Sequence, residues 1–257
     1  MSRLKLFALI AGLFFVAGLL FVPSQVWAQS LTLDLGGGKA AAGGTSVAGR
    51  VIQMVVLMTV LSLAPSILMM MTSFTRIIVV LSFLRTALGT QQTPPNTVLL
   101  SLALFLTFFI MAPTIQASYE QGIKPVMSGE VNEMDGLQKS VMPFKQFMLK
   151  HAREKDLVLF MNLSKTPKLE DPMATPLQVV IPAFMISELR RAFEIGFLIF
   201  LPFLIIDMVT ASILMSMGMM MLPPVMIALP FKIIFFVLVD GWYLIAGSLV
   251  QSYGGGT

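Results

Sequence analysis

The chain has 257 residues, 56% of them hydrophobic and only 12% charged, with a mean hydropathy of +0.87; soluble domains carry about 25% charge, so lipid or other protein chains must cover much of this surface. Cysteine is absent, which excludes disulfide frameworks and thiolate chemistry. The formal net charge of +4 includes Arg3 and Lys5 at the N-terminal end and implies no nucleic-acid partner.

Arg3 and Lys5 precede an apolar run from Leu6 to Val22, and a polar stretch then ends in small residues at Val26 and Ala28. This pattern predicts a secretory signal peptide over 1–28, cleaved between Ala28 and Gln29. An uncleaved first helix is the alternative, because about 17 apolar residues just span a bilayer. Residues 29–49, rich in Gly, Ala and Ser, read as a flexible tail.

A first hydrophobic hairpin is expected over 50–117. Its first arm runs from Val51 through an interruption at Pro65 to Leu88, with Arg76 and Arg85 inside it. Gly89 and Thr93-Pro94-Pro95 then break the helix, and Asn96 or Thr97 can cap the next. That second arm, Val98 to Ala112, is uncharged and is expected to end at Pro113.

Residues 118–178 form a polar insert whose acidic and basic residues balance. Within it Phe144, Phe147, Met148 and Ala152 fall at helical spacing, which predicts one amphipathic helix from Phe144 to Met161. Its mixed charges favour packing on protein over lying on lipid. His151 is the single histidine and has no second ligand type near it, so a solvated or capping role is expected and no metal.

A second hydrophobic hairpin spans 179–252, turning at Leu222-Pro223-Pro224, with a short tail at 253–257. Each arm is longer than the about 20 residues a bilayer requires and carries an internal proline, Pro202 or Pro230. The first arm holds Glu188, Arg190, Arg191, Glu194 and Asp207, and the second Lys232 and Asp240. Spacings of three and four let Arg190 pair with Glu194 and let Arg191 pair with Glu188 or Glu194 on one helix. A charge at the bilayer centre costs about 2.5 to 3.5 kcal/mol, so partners on neighbouring chains or a place outside the bilayer are implied. The turn near Met219 to Pro224 has no positive charge, unlike an ordinary cytoplasmic loop.

Met219, Met220 and Met221 follow Gly218 and precede two prolines, so they cannot share one helical face. Any single methionine can simply fill an apolar gap. Brought together from several subunits, the three would instead make a deformable hydrophobic constriction, closed to ions yet able to yield to a passing chain.

The stretches from Ser73 to Thr114, from Phe147 to Phe160 (FMLKHAREKDLVLF) and from Pro182 to Ile245, which includes PAFMISELRRAFEIG and MGMMMLPP, resemble the FliP family of flagellar and injectisome type III secretion proteins. The resemblance implies an all-α fold of membrane-associated helical hairpins with a polar extracytoplasmic helical insert, assembling into a helical pore-forming oligomer. It implies an export-gate subunit in the bacterial inner membrane at the flagellar basal body, present in five copies. FliQ and FliR would complete the pore, FlhB would contact it on the cytoplasmic side, and unfolded export substrates would pass through it. On this resemblance Met219, Met220 and Met221 form the gasket. Glu188, Arg190, Arg191, Glu194, Asp207, Lys232 and Asp240 would lie at subunit contacts or along the conduit.

A secondary transporter or ion channel is the competing class, since broken helices and intramembrane charges suit it too. No repeat relates the two hydrophobic blocks. An enzyme is not expected: the chain has no H-E-x-x-H, no Gly-x-Ser-x-Gly and no P-loop, and no cofactor is implied.

Overall fold

A computed structural model describes residues 47–254 apart from 91, 166, 168–170 and 219–222. The chain falls into two compact units, 1–56 and 57–257. Of the first, the structure describes the start of α1 (Val47–Met70). The expected cleavage site at Ala28 and Gln29, the tail up to residue 46 and Met219, Met220 and Met221 lie outside the described residues.

The described residues are helical, without strands. In α2 (Phe74–Leu88), Ile77, Val80, Leu81, Leu84, Ala87 and Leu88 recur at three- and four-residue spacing, and all are buried. Gly89 ends the helix at φ 75°, where a residue without a Cβ is unstrained, and its N–H donates to the Thr86 carbonyl.

After α3 (Asn96–Ser118) begins, two expectations give way. Pro95 occupies the cap position, and Asn96 lies inside the helix, accepting a hydrogen bond from the Arg85 guanidinium. Pro113 does not end α3. Its fixed φ suits a helix and it removes one backbone hydrogen bond, a loss that one long apolar helix absorbs. The chain continues through a π-helical turn (Tyr119–Ile123) into α4 (Lys124–Met127).

The amphipathic segment expected as one helix is two, α5 (Glu133–His151) and α6 (Glu154–Leu163). Ala152 and Arg153 are extended between them. The break has a tertiary cause: the Arg153 N–H donates to Ser187 Oγ, 2.9 Å away on α7 (Leu177–Ser216).

α7 runs for 40 residues through both Pro182 and Pro202. The returning arm is two helices, α8 (Pro224–Leu238) and α9 (Gly241–Gln251), bent by 61°. The bend is at Asp240, in the left-handed region at φ 50°, and not at Pro230, which stays helical. Gly241 makes it possible, because a Cβ there would lie 2.1 Å from the Phe236 ring.

α2 and α7 form the spine. Phe83 packs so closely on Gly196 that a Cβ would approach its ring to 2.5 Å. One core joins Ile77, Val80 and Leu81 to Leu99, Ala103 and Leu106 of α3, Ala192 of α7 and Leu249 of α9. A second joins Leu84, Ala87 and Leu88 to Phe203 and Phe236. A third, of Met71, Met148, Val180 and Phe184, seats α5 on α7. The stretches Asn96–Met127 and Leu177–Ser216 are long and apolar enough to cross a membrane, and α8 with α9 passes the same test as a bent pair.

Candidate functional site

An ion pair inside an apolar bundle persists only when its hydrogen bonds are nearly complete. Arg76 of α2 and Glu188 of α7 meet that condition, with side chains 1% and 0% exposed. Arg76 Nε donates to Glu188 Oε2 at 2.7 Å and Nη2 to Oε1 at 2.5 Å, a planar two-point fork. Its remaining Nη1 donates to Ser252 Oγ at 2.9 Å. The Tyr253 hydroxyl also donates to Glu188 Oε2, and the guanidinium carbon lies 3.9 Å from the centre of the Tyr253 ring.

α5 closes this cluster. Phe147 stacks on Tyr253 at 5.8 Å between centroids, and His151 meets the Tyr253 ring edge-on at 5.1 Å. His151 is buried, contrary to the solvated role expected of it. Burial, followed by the positive charges of Arg76, Arg191 and Lys150, lowers its pKa to about 4, so the ring is neutral at pH 7. A wall of Phe109, Pro113, Phe147, His151 and Tyr253 surrounds an open cavity of about 560 Å³ beside it.

A second polar cluster pins α6 to α7. Arg153 Nε and Ser187 Oγ both donate to Asp156 Oδ2, at 2.7 and 2.6 Å. The third lies towards the hairpin tip, where Lys232 Nζ donates to Asp207 Oδ2 at 2.6 Å and to the Ala87 carbonyl at 3.2 Å. That carbonyl belongs to the last turn of α2, where a cation complements the helix dipole.

The structure therefore separates the seven charges singled out in the sequence. Glu188 and Lys232 are buried and are satisfied within their own chain. Glu188 takes Arg76 as its partner and not Arg191, because the α2–α7 packing brings a two-point donor to it. Arg190 and Glu194 do pair along the helix, at 2.8 Å and with both side chains more than half exposed. Arg191 is half-buried and has no ion-pair partner among the described residues. Asp207 keeps 37% of its side chain exposed, and Asp240 is exposed at the α8–α9 bend.

Sequence reasoning missed Arg76 as a buried partner, together with Ser252 and Tyr253, which it placed at the end of the second arm and in a tail. A lone arginine in an apolar run was the available signal for Arg76. Nothing local distinguished Tyr253.

The outward surface is strongly apolar. Phe193, Phe197, Leu198, Ile205, Met208 and Ile213 are exposed on α7, as are Phe231, Val237 and Leu238 on α8 and Phe105, Phe108 and Phe109 on α3. A groove of about 410 Å³ runs between α7 and α8, lined by apolar side chains such as Ile205, Val209, Ile213, Ile227 and Phe231, with Thr210 as its one polar residue among those described. Beside the hairpin tip Met215, Met217 and Met226 are exposed. Among the described residues no cluster of His, Asp or Glu could hold a metal ion.

The model of the FliP family matches residues 57–249. The flagellar biosynthetic protein FliP of Caulobacter vibrioides is 58% identical over 233 residues, covering 90% of this chain and 85% of that protein. The protein of the same name from Bacillus subtilis is 59% identical over 202 residues, 79% of this chain and 91% of its own length. That of Aquifex aeolicus is 52% identical over 204 residues, covering 79% and 85%.

Proposed function

The chain belongs to the FliP family, and from that premise we propose that it is a subunit of the flagellar type III export gate. Several copies, five on the family reading, combine with FliQ and FliR into a pore across the bacterial inner membrane at the flagellar basal body. FlhB contacts the pore from the cytoplasm, unfolded substrates pass through it, and residues 118–178 face the extracytoplasmic side. The chain acts as a structural conduit and not as an enzyme.

One observation supports this reading above the others. Exposed apolar residues continue along α7 from Ile186 to Met215, a rise of about 44 Å at 1.5 Å per residue. The hydrocarbon layer is about 30 Å thick. The exposed Arg190–Glu194 pair also interrupts that surface, and lipid tails would not accept it. Neighbouring protein chains cover such a face better than lipid does.

Arg190, Arg191, Glu194 and Asp240 are then available for subunit contacts or for the conduit, and Asp207 offers its exposed edge. Met219, Met220 and Met221 make the gasket, and the signal segment is removed between Ala28 and Gln29. A secondary transporter or channel would need a substrate site within one subunit, and the family membership does not favour that class.

A photo-crosslinking residue placed at Phe197 or Phe231 in living cells tests the proposal. Adducts with a second copy of this chain or with FliQ and FliR are expected. Labelling of lipid alone at both positions would contradict it.

A further inference from the structure

Tyr253 touches three helices at once. Its hydroxyl reaches Glu188 on α7, its ring lies beneath the Arg76 guanidinium of α2, and Phe147 and His151 of α5 pack on its other faces. Ser252, one residue earlier, accepts from Arg76 Nη1. The segment that follows α9 thus ties the polar insert to the buried ion pair of the apolar bundle.

Two features make this tie separable from the fold. Arg76 holds Glu188 through two hydrogen bonds of its own, so the ion pair remains formed when the Tyr253 hydroxyl leaves. Tyr253 and Gly254 also wall the open cavity of about 560 Å³, which gives the ring room to withdraw without displacing a helix. The α2–α7 core of Val80, Leu81, Leu84 and Ala192 uses no atom of the segment.

We propose that Ser252 and Tyr253 form a releasable strap, which clamps the Phe147–His151 end of α5 against the Arg76–Glu188 pair when closed and loosens that end when open, while the α2–α7 spine and the Met148–Val180–Phe184 core persist. The strap gives the end of α5 a local motion of its own, while the rest of the insert stays seated on α7. This goes beyond the export-gate reading and does not depend on it. Opening admits water to an ion pair that is otherwise sealed, so the open state is a local one and not an unfolded one.

Hydrogen exchange followed by mass spectrometry on the full-length protein in detergent tests the strap. Tyr253→Ala is expected to raise exchange at residues 144–151 and 73–77 about tenfold, with 224–238 unchanged. Tyr253→Phe keeps the ring and loses one hydrogen bond, so a smaller rise at the same residues is expected. If Tyr253→Ala does not accumulate, Phe147→Leu removes the stacking from the other side and must give the same local rise. Unaltered exchange at 144–151 would overturn the strap. So would an equal rise across every helix, since that reports loss of the fold.

Discussion

Arg76 and Glu188 face one another across the α2–α7 spine as a two-point ion pair from which solvent is excluded, although 112 positions separate them in the chain. Beyond the two-point fork, Arg76 Nη1 donates to Ser252 Oγ and Glu188 Oε2 accepts from the Tyr253 hydroxyl. A buried pair of this kind favours the one register of α2 on α7 in which the two side chains meet.

Replacing Glu188 with Leu strands a buried guanidinium, and a loss of about 3 to 5 kcal/mol is expected. The double replacement Arg76→Leu with Glu188→Leu removes both charges and recovers most of that loss. Thermal unfolding of the purified protein in detergent measures both. A double variant no more stable than the single one would contradict the argument.

His151 sets an acid limit. Its pKa is about 4 in the folded chain against 6.5 unperturbed, so the fold disfavours the charged ring. Stability on this account is complete above about pH 6.5 and is lost progressively as the pH falls towards 4, because the unfolded chain takes up the proton first. The melting temperature followed across that range should fall less steeply for His151→Gln than for the wild type.

Lys232 and Asp207 are unequal partners. Lys232 is buried whereas Asp207 keeps part of its side chain in contact with the surroundings. Asp207→Ala leaves a buried ammonium with the Ala87 carbonyl as its acceptor, and Lys232→Met leaves a carboxylate whose Oδ1 is buried without a partner but whose side chain stays 37% exposed. The first change should therefore lower the melting temperature more than the second.

Deleting Met219 to Met221 should leave the assembly intact and make the membrane permeable to ions or small solutes, as dye-uptake or conductance measurements would report. Permeability equal to that of the wild type in an open gate would remove the gasket from the account.

Arg191 is half-buried and lacks an ion-pair partner among the described residues. Arg191→Glu is expected to impair oligomer formation more than membrane insertion, as blue native electrophoresis beside a membrane-fraction assay would show. Normal assembly would exclude Arg191 from the subunit contacts.

Periodicity and punctuation made much of this fold legible. The apolar repeat of α2, the break at Gly89, the long α7 and the Arg190–Glu194 pair all follow from spacing within one element. The misses arose where a distant residue decided the local conformation. Ser187 captures the Arg153 N–H and divides the insert helix, and Phe236 against Gly241 bends the returning arm at Asp240. Glu188 had an apparent partner three residues away, and a better donor arrived from another helix. Pro113, expected to end α3, lies inside it, as Pro182, Pro202 and Pro230 lie inside their helices, which apolar bundles permit.

The mass of the complex shows whether this chain works as several copies in one pore. Native mass spectrometry of the gently solubilised chain, co-expressed with FliQ and FliR, should give one discrete assembly containing several copies of a chain that begins at Gln29. A stable monomer or dimer indifferent to both partners would contradict it.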